Sequence, residues 1–260
     1  MKICLRSLAA GVLAFICLTG TSRATTYPGN GNAGFNGAVG TGSLSLTNNA
    51  NGDFVFAFTL GGFQTSFGGN DLVIYVDNNK GNGIGTGTAS LTDTADGGRQ
   101  AVSEYSGTNR STTNFAGLLN PQFGLDLSVN NASVYSLVNN GSFGFNAGQT
   151  VGGASQSGAT YTVTTGNGNS TSTVLTFTVP ATALGLTANT TGALKLFALQ
   201  VSETGYSSNE GTVGITGNLG YGNTQTITSV NNFAVVPEPS VCILAAMGGT
   251  ALAVMRRRQK

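Results

Sequence analysis

Apolar positions in this chain recur with a period of two, in short runs separated by Gly, Asn, Ser and Thr. In Asp53-Phe54-Val55-Phe56-Ala57-Phe58-Thr59-Leu60 the three phenylalanines fall on one face of an extended strand. Leu72-Val73-Ile74-Tyr75-Val76 is apolar throughout, the pattern of a central strand covered on both sides. The same reading predicts strands over 42–47, 100–105, 123–129, 132–138, 142–145, 160–164, 174–179, 194–202 and 211–215. Turn clusters such as Asn78-Asn79-Lys80-Gly81-Asn82-Gly83 and Thr165-Gly166-Asn167-Gly168-Asn169 divide them. Pro180-Ala181-Thr182-Ala183-Leu184-Gly185-Leu186 reads as a single helical turn, and no stretch keeps a helical period over three turns. The expected fold is all-β, one antiparallel β-sandwich or jelly-roll domain over 41–235. Residues 25–40, rich in Gly and Asn, are expected as a loose lead-in.

The two ends follow a different pattern. Met1-Lys2-Ile3-Cys4-Leu5-Arg6 is a positive start, 7–18 is an apolar stretch, and Ser22-Arg23-Ala24 offers small residues for signal peptidase. Residues 1–24 therefore read as a signal peptide cut after Ala24. At the other end, 236–260 combine Val236-Pro237-Glu238-Pro239-Ser240, an apolar segment over 241–255, and Arg256-Arg257-Arg258-Gln259-Lys260. Two prolines keep the chain extended and open to a protease. The apolar run suits a bilayer, and Arg256, Arg257, Arg258 and Lys260 form a basic stop on the cytoplasmic side. Residues 240–255 make about 24 Å of helix at ~1.5 Å each, short of the ~30 Å hydrocarbon core, as befits a temporary anchor.

This order of parts resembles the PEP-CTERM sorting signal, also described as the ice-binding-protein C-terminal domain. The resemblance implies cleavage near Val236, Pro237, Glu238 and Pro239 by an exosortase, a membrane-embedded protease. It also implies export across the inner membrane, a transient anchor there, and release to the cell surface or extracellular matrix of a polysaccharide-producing bacterium.

With both ends set aside, composition narrows the chemistry. All three cysteines and all three methionines lie outside 25–235, and the chain has no His or Trp. That removes Ser-His-Asp and Cys-His catalysis, thiolate nucleophiles and disulfides. Within 25–236 stand four basic and nine acidic residues, a net charge of −5, which cannot neutralise a run of phosphates; no nucleic-acid partner is expected. Nine scattered acids single out no catalytic pair, and no catalytic residue is assigned. Thr is plentiful, but with no fixed period of the kind a flat water-ordering face requires.

Within the body, Asn70-Asp71-Leu72-Val73-Ile74-Tyr75-Val76-Asp77-Asn78, Asp96-Gly97-Gly98-Arg99-Gln100-Ala101 and Phe123-Gly124-Leu125-Asp126-Leu127 form a second set of recurring segments. Leu175-Thr176-Phe177-Thr178-Val179-Pro180 with Leu184-Gly185-Leu186, and Tyr206-Ser207-Ser208-Asn209-Glu210, belong with them. Together they are similar to exported β-sandwiches of the DOMON-like, glucodextranase C-terminal type, whose relatives bind sugars or haem. Neither His nor Met is present in the body to ligate haem iron, so carbohydrate is the implication that survives.

Hard-cation donors are the remaining candidate chemistry. Asp77 and Asn79 occupy alternate positions of a Gly-rich loop with Asp71 on the strand before it, a set suited to calcium, although Lys80 sits within the loop. Otherwise no cofactor is expected. The functional expectation is a non-enzymatic, exported structural or adhesive protein associated with exopolysaccharide. A carbohydrate-binding module, calcium-assisted, is the alternative; a carboxylate-pair glycosidase is the third.

Overall fold

The alternation of Phe, Leu and Val with small polar residues builds the smaller of two main sheets. The computed structural model describes residues 24–49, 51–187 and 192–235. In the five-stranded antiparallel sheet the order is β1 (Thr25–Pro28), β2 (Ser43–Asn48), β3 (Phe54–Thr59), β10 (Val174–Val179) and β9 (Thr160–Thr164). Register places Leu46 beside Phe56, Phe56 beside Phe177, and Phe177 beside Tyr161, an inward row of large apolar side chains across the four strands β2, β3, β10 and β9. The outward row of the same register reads Thr26, Ser45, Ala57, Thr176 and Thr162, small and uncharged.

The larger sheet runs β12 (Ser207–Gly211), β11 (Gly192–Ser202), β4 (Asn70–Asp77), β6 (Phe123–Leu127), β7 (Asn131–Ser136) and β8 (Gly144–Thr150). β15 (Asn231–Val235) also pairs with β11. Leu72, Ile74 and Val76 of β4 point into the sandwich core against the smaller sheet. Val73 and Tyr75 point the other way, into a second core with Ala101, Val102, Phe115 and Phe197. A strand buried on both faces is what its unbroken apolar run predicts. A small third sheet, β13 (Ile215–Gly217), β14 (Thr224–Ile227) and β5 (Thr112–Asn114), contains a parallel pair, β14 with β5. The rest of the pairing is antiparallel, so the described residues form an all-β, sandwich-like fold.

Three expectations are corrected. The strand expected over 100–105 is instead a helix, α1 (Gly97–Ser103). Asp96 caps it by accepting from the Arg99 N–H at 2.9 Å, and Glu104 ends it in the left-handed region at φ 51°. Adjacent Ala101 and Val102 are both buried, which alternation would forbid and a helix permits. The strand expected over 211–215 instead joins the last residue of β12 to the first of β13 across a break at 212–214, and that over 142–145 overlaps β8 only at its last two residues.

Residues 25–40, expected to be loose, are built in. They supply β1 and bury Tyr27, Ala38 and Val39. Glu210 explains how a Gly- and Asn-rich segment is held: its carboxylate accepts from five backbone N–H groups, of Phe35, Asn36, Gly37, Val39 and Gly40, at 2.6–3.2 Å. Consecutive amides wrapped round an anion need no side chains of their own.

Candidate functional site

Strand register brings acids together that stand far apart in the chain. β4 and β6 pair antiparallel with Val73 opposite Asp126, so Asp71 and Asp126 lie diagonally on one face. β11 places Val201 opposite Asp71, and Glu203 follows just beyond that strand's end. Asp71 is 3% exposed and Asp126 1%. One oxygen of each, Asp71 Oδ2 and Asp126 Oδ1, has no hydrogen-bond partner.

α1 begins above these acids, and at Gly98 a side chain would run into one of them. A Cβ on Gly97 would lie 2.5 Å from the Glu203 carboxyl carbon; one on Gly98 would lie 2.5 Å from Asp126 Oδ2. The Gly97-Gly98 pair is thus a thin lid of backbone over carboxyl groups. Burial, and then the charge of Glu203, push the Asp71 carboxyl up to about 7. Burial, followed by Asp71, Glu203 and Asp96, holds Asp126 well above the usual carboxylate range.

On the solvent side of that lid runs a groove of about 380 Å³ between the start of α1 and strands β7 and β8. Asp96, Arg99 and Glu203 stand on one side; Asn131, Tyr135, Phe145 and Gln156 are among the residues opposite. The Arg99 guanidinium lies 4.7 Å above the Tyr135 ring, 3.2 Å from Asp93 Oδ2, and in contact with Asp96. Its charge is therefore already matched twice. Asp93 is anchored in turn by the N–H groups of Phe143 at 2.6 Å and Ala95 at 3.1 Å.

A bulge opens the far wall. Val134 pairs with Ala147 but Tyr135 pairs with Phe145, so Asn146 is an extra residue in β8. The extra residue re-aims Phe145 outward, leaving its ring 41% exposed and edge-on to Tyr135 at 6.2 Å. A second cavity, of about 450 Å³, lies beyond Phe145 against Asn146, Thr182 and Gly185. Phe145 lines both, so one exposed ring stands between two adjoining hollows.

The expected cation set is not brought together. Asp71 is the second residue of β4 and Asp77 its last, six residues and about 20 Å apart at ~3.3 Å per residue. Asp77 accepts from the N–H groups of Asn79 at 2.8 Å and Asn120 at 3.2 Å, and the Asn79 side chain donates to the Ala193 carbonyl at 2.6 Å. Asp77 and Asn79 build a turn. Among the described residues no three acidic side chains are placed so as to hold a metal ion. Ala24 is exposed and directly precedes β1. Val236, Pro237, Glu238, Pro239, Arg256, Arg257, Arg258 and Lys260 lie outside the described residues, as does 1–23. Among the described residues no helix is long and apolar enough to cross a membrane.

Asp126, Glu203, Tyr135 and Phe145 were not among the expected site residues. One signal for Asp126 lay in the chain: a carboxylate in Phe123-Gly124-Leu125-Asp126-Leu127, where every neighbour is apolar or glycine. Three of the recurring segments noted in the sequence, 70–78, 96–101 and 123–127, meet at this site. No family model, no curated protein and no solved structure matches the chain.

Proposed function

We propose that the protein is exported and acts outside the cell as a non-enzymatic structural or adhesive component that holds exopolysaccharide, with the groove beside α1 as its saccharide contact. The observation that carries this reading is the exposed Phe145 ring between two adjoining hollows, in a groove that Asn131 and Gln156 also line. An aromatic face with amide and hydroxyl partners suits a sugar ring, which is apolar on its C–H face and polar at its rim. A pair of hollows suits a polymer rather than a single residue.

Export is supported by the two ends: the positive and apolar start before Ala24, and the Pro-Glu-Pro, apolar and basic order at the close. Signal peptidase and an exosortase-type protease are the processing partners on this reading. A non-enzymatic role is supported by the position of the two acids with raised pKa, beneath the glycines of α1 rather than on the groove wall. The test is a glycan array with and without EDTA: saturable binding that Phe145→Ala abolishes is expected, and no saturable signal for any glycan would end the reading. A signal lost in EDTA would favour the calcium-assisted alternative. For sorting, Pro237, Glu238 and Pro239 replaced by alanine should change the mature C-terminus seen by mass spectrometry; an unchanged terminus would refute exosortase processing.

A further inference from the structure

We propose that the groove selects a cationic saccharide, an amino sugar carrying a free ammonium group, over neutral or acidic sugars. This rests on the saccharide reading above and adds the charge of the ligand. Glu203 and Asp96 line the groove, while Asp126 stands behind Gly98, with Asp71 diagonal to it on the same sheet face. The one cation on the wall, Arg99, is occupied by Asp93 and Asp96. The groove is therefore acidic with no free counter-charge among its described residues.

Behind this wall, Asp71 Oδ2 and Asp126 Oδ1 are buried without a hydrogen-bond partner, which adds to the acidic character of the region without reaching the groove itself. An ammonium offers three donors and a positive charge, the complement of what this wall presents. A sugar fits better than a lysine side chain because the opposite wall is aromatic and amide, suited to a hydroxyl-bearing ring. A cation arriving at Glu203 also favours ionisation of the pair behind it, so binding should expel a proton. The charged groups that bear on that pair are Glu203 and Asp96, which act in the same direction as burial, and the hydroxyls of Tyr135 and Tyr161 stand near it.

The experiment uses the full-length chain in detergent, titrated calorimetrically near neutral pH with oligoglucosamine, its N-acetylated counterpart, a neutral glucan oligomer, a uronate oligomer and oligolysine. Oligoglucosamine should bind about tenfold or more tightly than its N-acetylated form, a difference of ~1.4 kcal/mol. Its binding should release protons, seen as a dependence of the heat on buffer. Glu203→Gln, an exposed change that leaves folding intact, should bring the ratio towards one, and Asp126→Asn should remove most of the proton release. Equal binding of the acetylated and free forms would overturn this inference while leaving the saccharide reading standing. No binding of any saccharide would remove both. Oligolysine binding as well as oligoglucosamine would show a site that reads charge without sugar, and calcium alone abolishing the preference while raising the melting temperature would assign these acids to a metal. Either result overturns the proposal.

Discussion

Two sets of buried carboxyl groups in this protein are treated in opposite ways. Glu104, wholly buried at the end of α1, has hydrogen bonds from the hydroxyls of Tyr75 at 3.1 Å, Thr113 at 3.1 Å and Ser207 at 2.5 Å. Glu210 is wrapped by five backbone amides. Both join segments distant in the chain: Glu104 ties α1 to β5 and β12, and Glu210 ties the N-terminal segment to β12. Asp71 and Asp126, on the sheet face that the start of α1 covers, each keep an oxygen with no donor. Buried polar groups are normally satisfied because the low dielectric that strengthens a made hydrogen bond also penalises a missing one. The satisfied set serves folding. The unsatisfied set lacks that support and lies under the start of α1, behind the groove.

The comparison breaks most readily at Glu210. Glu210→Ala strands five amides and should cost about 3–5 kcal/mol in denaturant unfolding, with the amides of 35–40 losing exchange protection first. An unaffected midpoint would show that the N-terminal segment is held by something else. Glu104→Ala should come next at about 2–4 kcal/mol, since Thr113 and Ser207 lose their acceptor, and Glu104→Gln should recover part of that loss.

The other set gives a pH dependence of definite sign. The folded form holds protons on Asp71 and Asp126 that the unfolded chain releases near the ordinary Asp value of about 3.9. The folded state therefore binds more protons between about pH 4 and 7, and stability should fall across that window by up to about 1.4 kcal/mol per pH unit for each group. Asp71 should level off above about 7, while Asp126 keeps the slope going higher. A curve that rises with pH there would mean that the pair is ionised and paired in a way the geometry does not contain. The smallest effect belongs to Glu203→Gln, an exposed change expected to stay within about 0.5 kcal/mol of the parent while weakening sugar binding.

The smaller sheet was legible in the chain because each of its central strands has one wet face, so period two survives in Phe54, Phe56, Phe58 and in Leu175, Phe177, Val179. β4 was legible for the opposite reason, having no wet face at all. α1 was not: seven residues give too few turns for a helical period, and Ala101, Ser103 and Tyr105 imitate alternation. β12, with Ser207, Ser208 and Glu210 buried, carries no apolar signal because its burial is achieved through hydrogen bonds. The site was hidden for a third reason. Asp71, Asp126 and Glu203 meet only through strand register and order, which pairwise pattern does not reveal, whereas Asp77 and Asn79 advertised a cation loop and turned out to be turn residues.

The claim that Asp126 is kept for a ligand rather than for the fold is tested most directly by Asp126→Asn, an isosteric change that removes the charge. Unfolding by denaturant at about pH 8 should find the variant more stable than the parent by about 1–3 kcal/mol, with its preference for oligoglucosamine reduced. A variant that is less stable than the parent would show that the ionised carboxyl supports the fold, and would contradict the division of labour drawn between these two sets of acids.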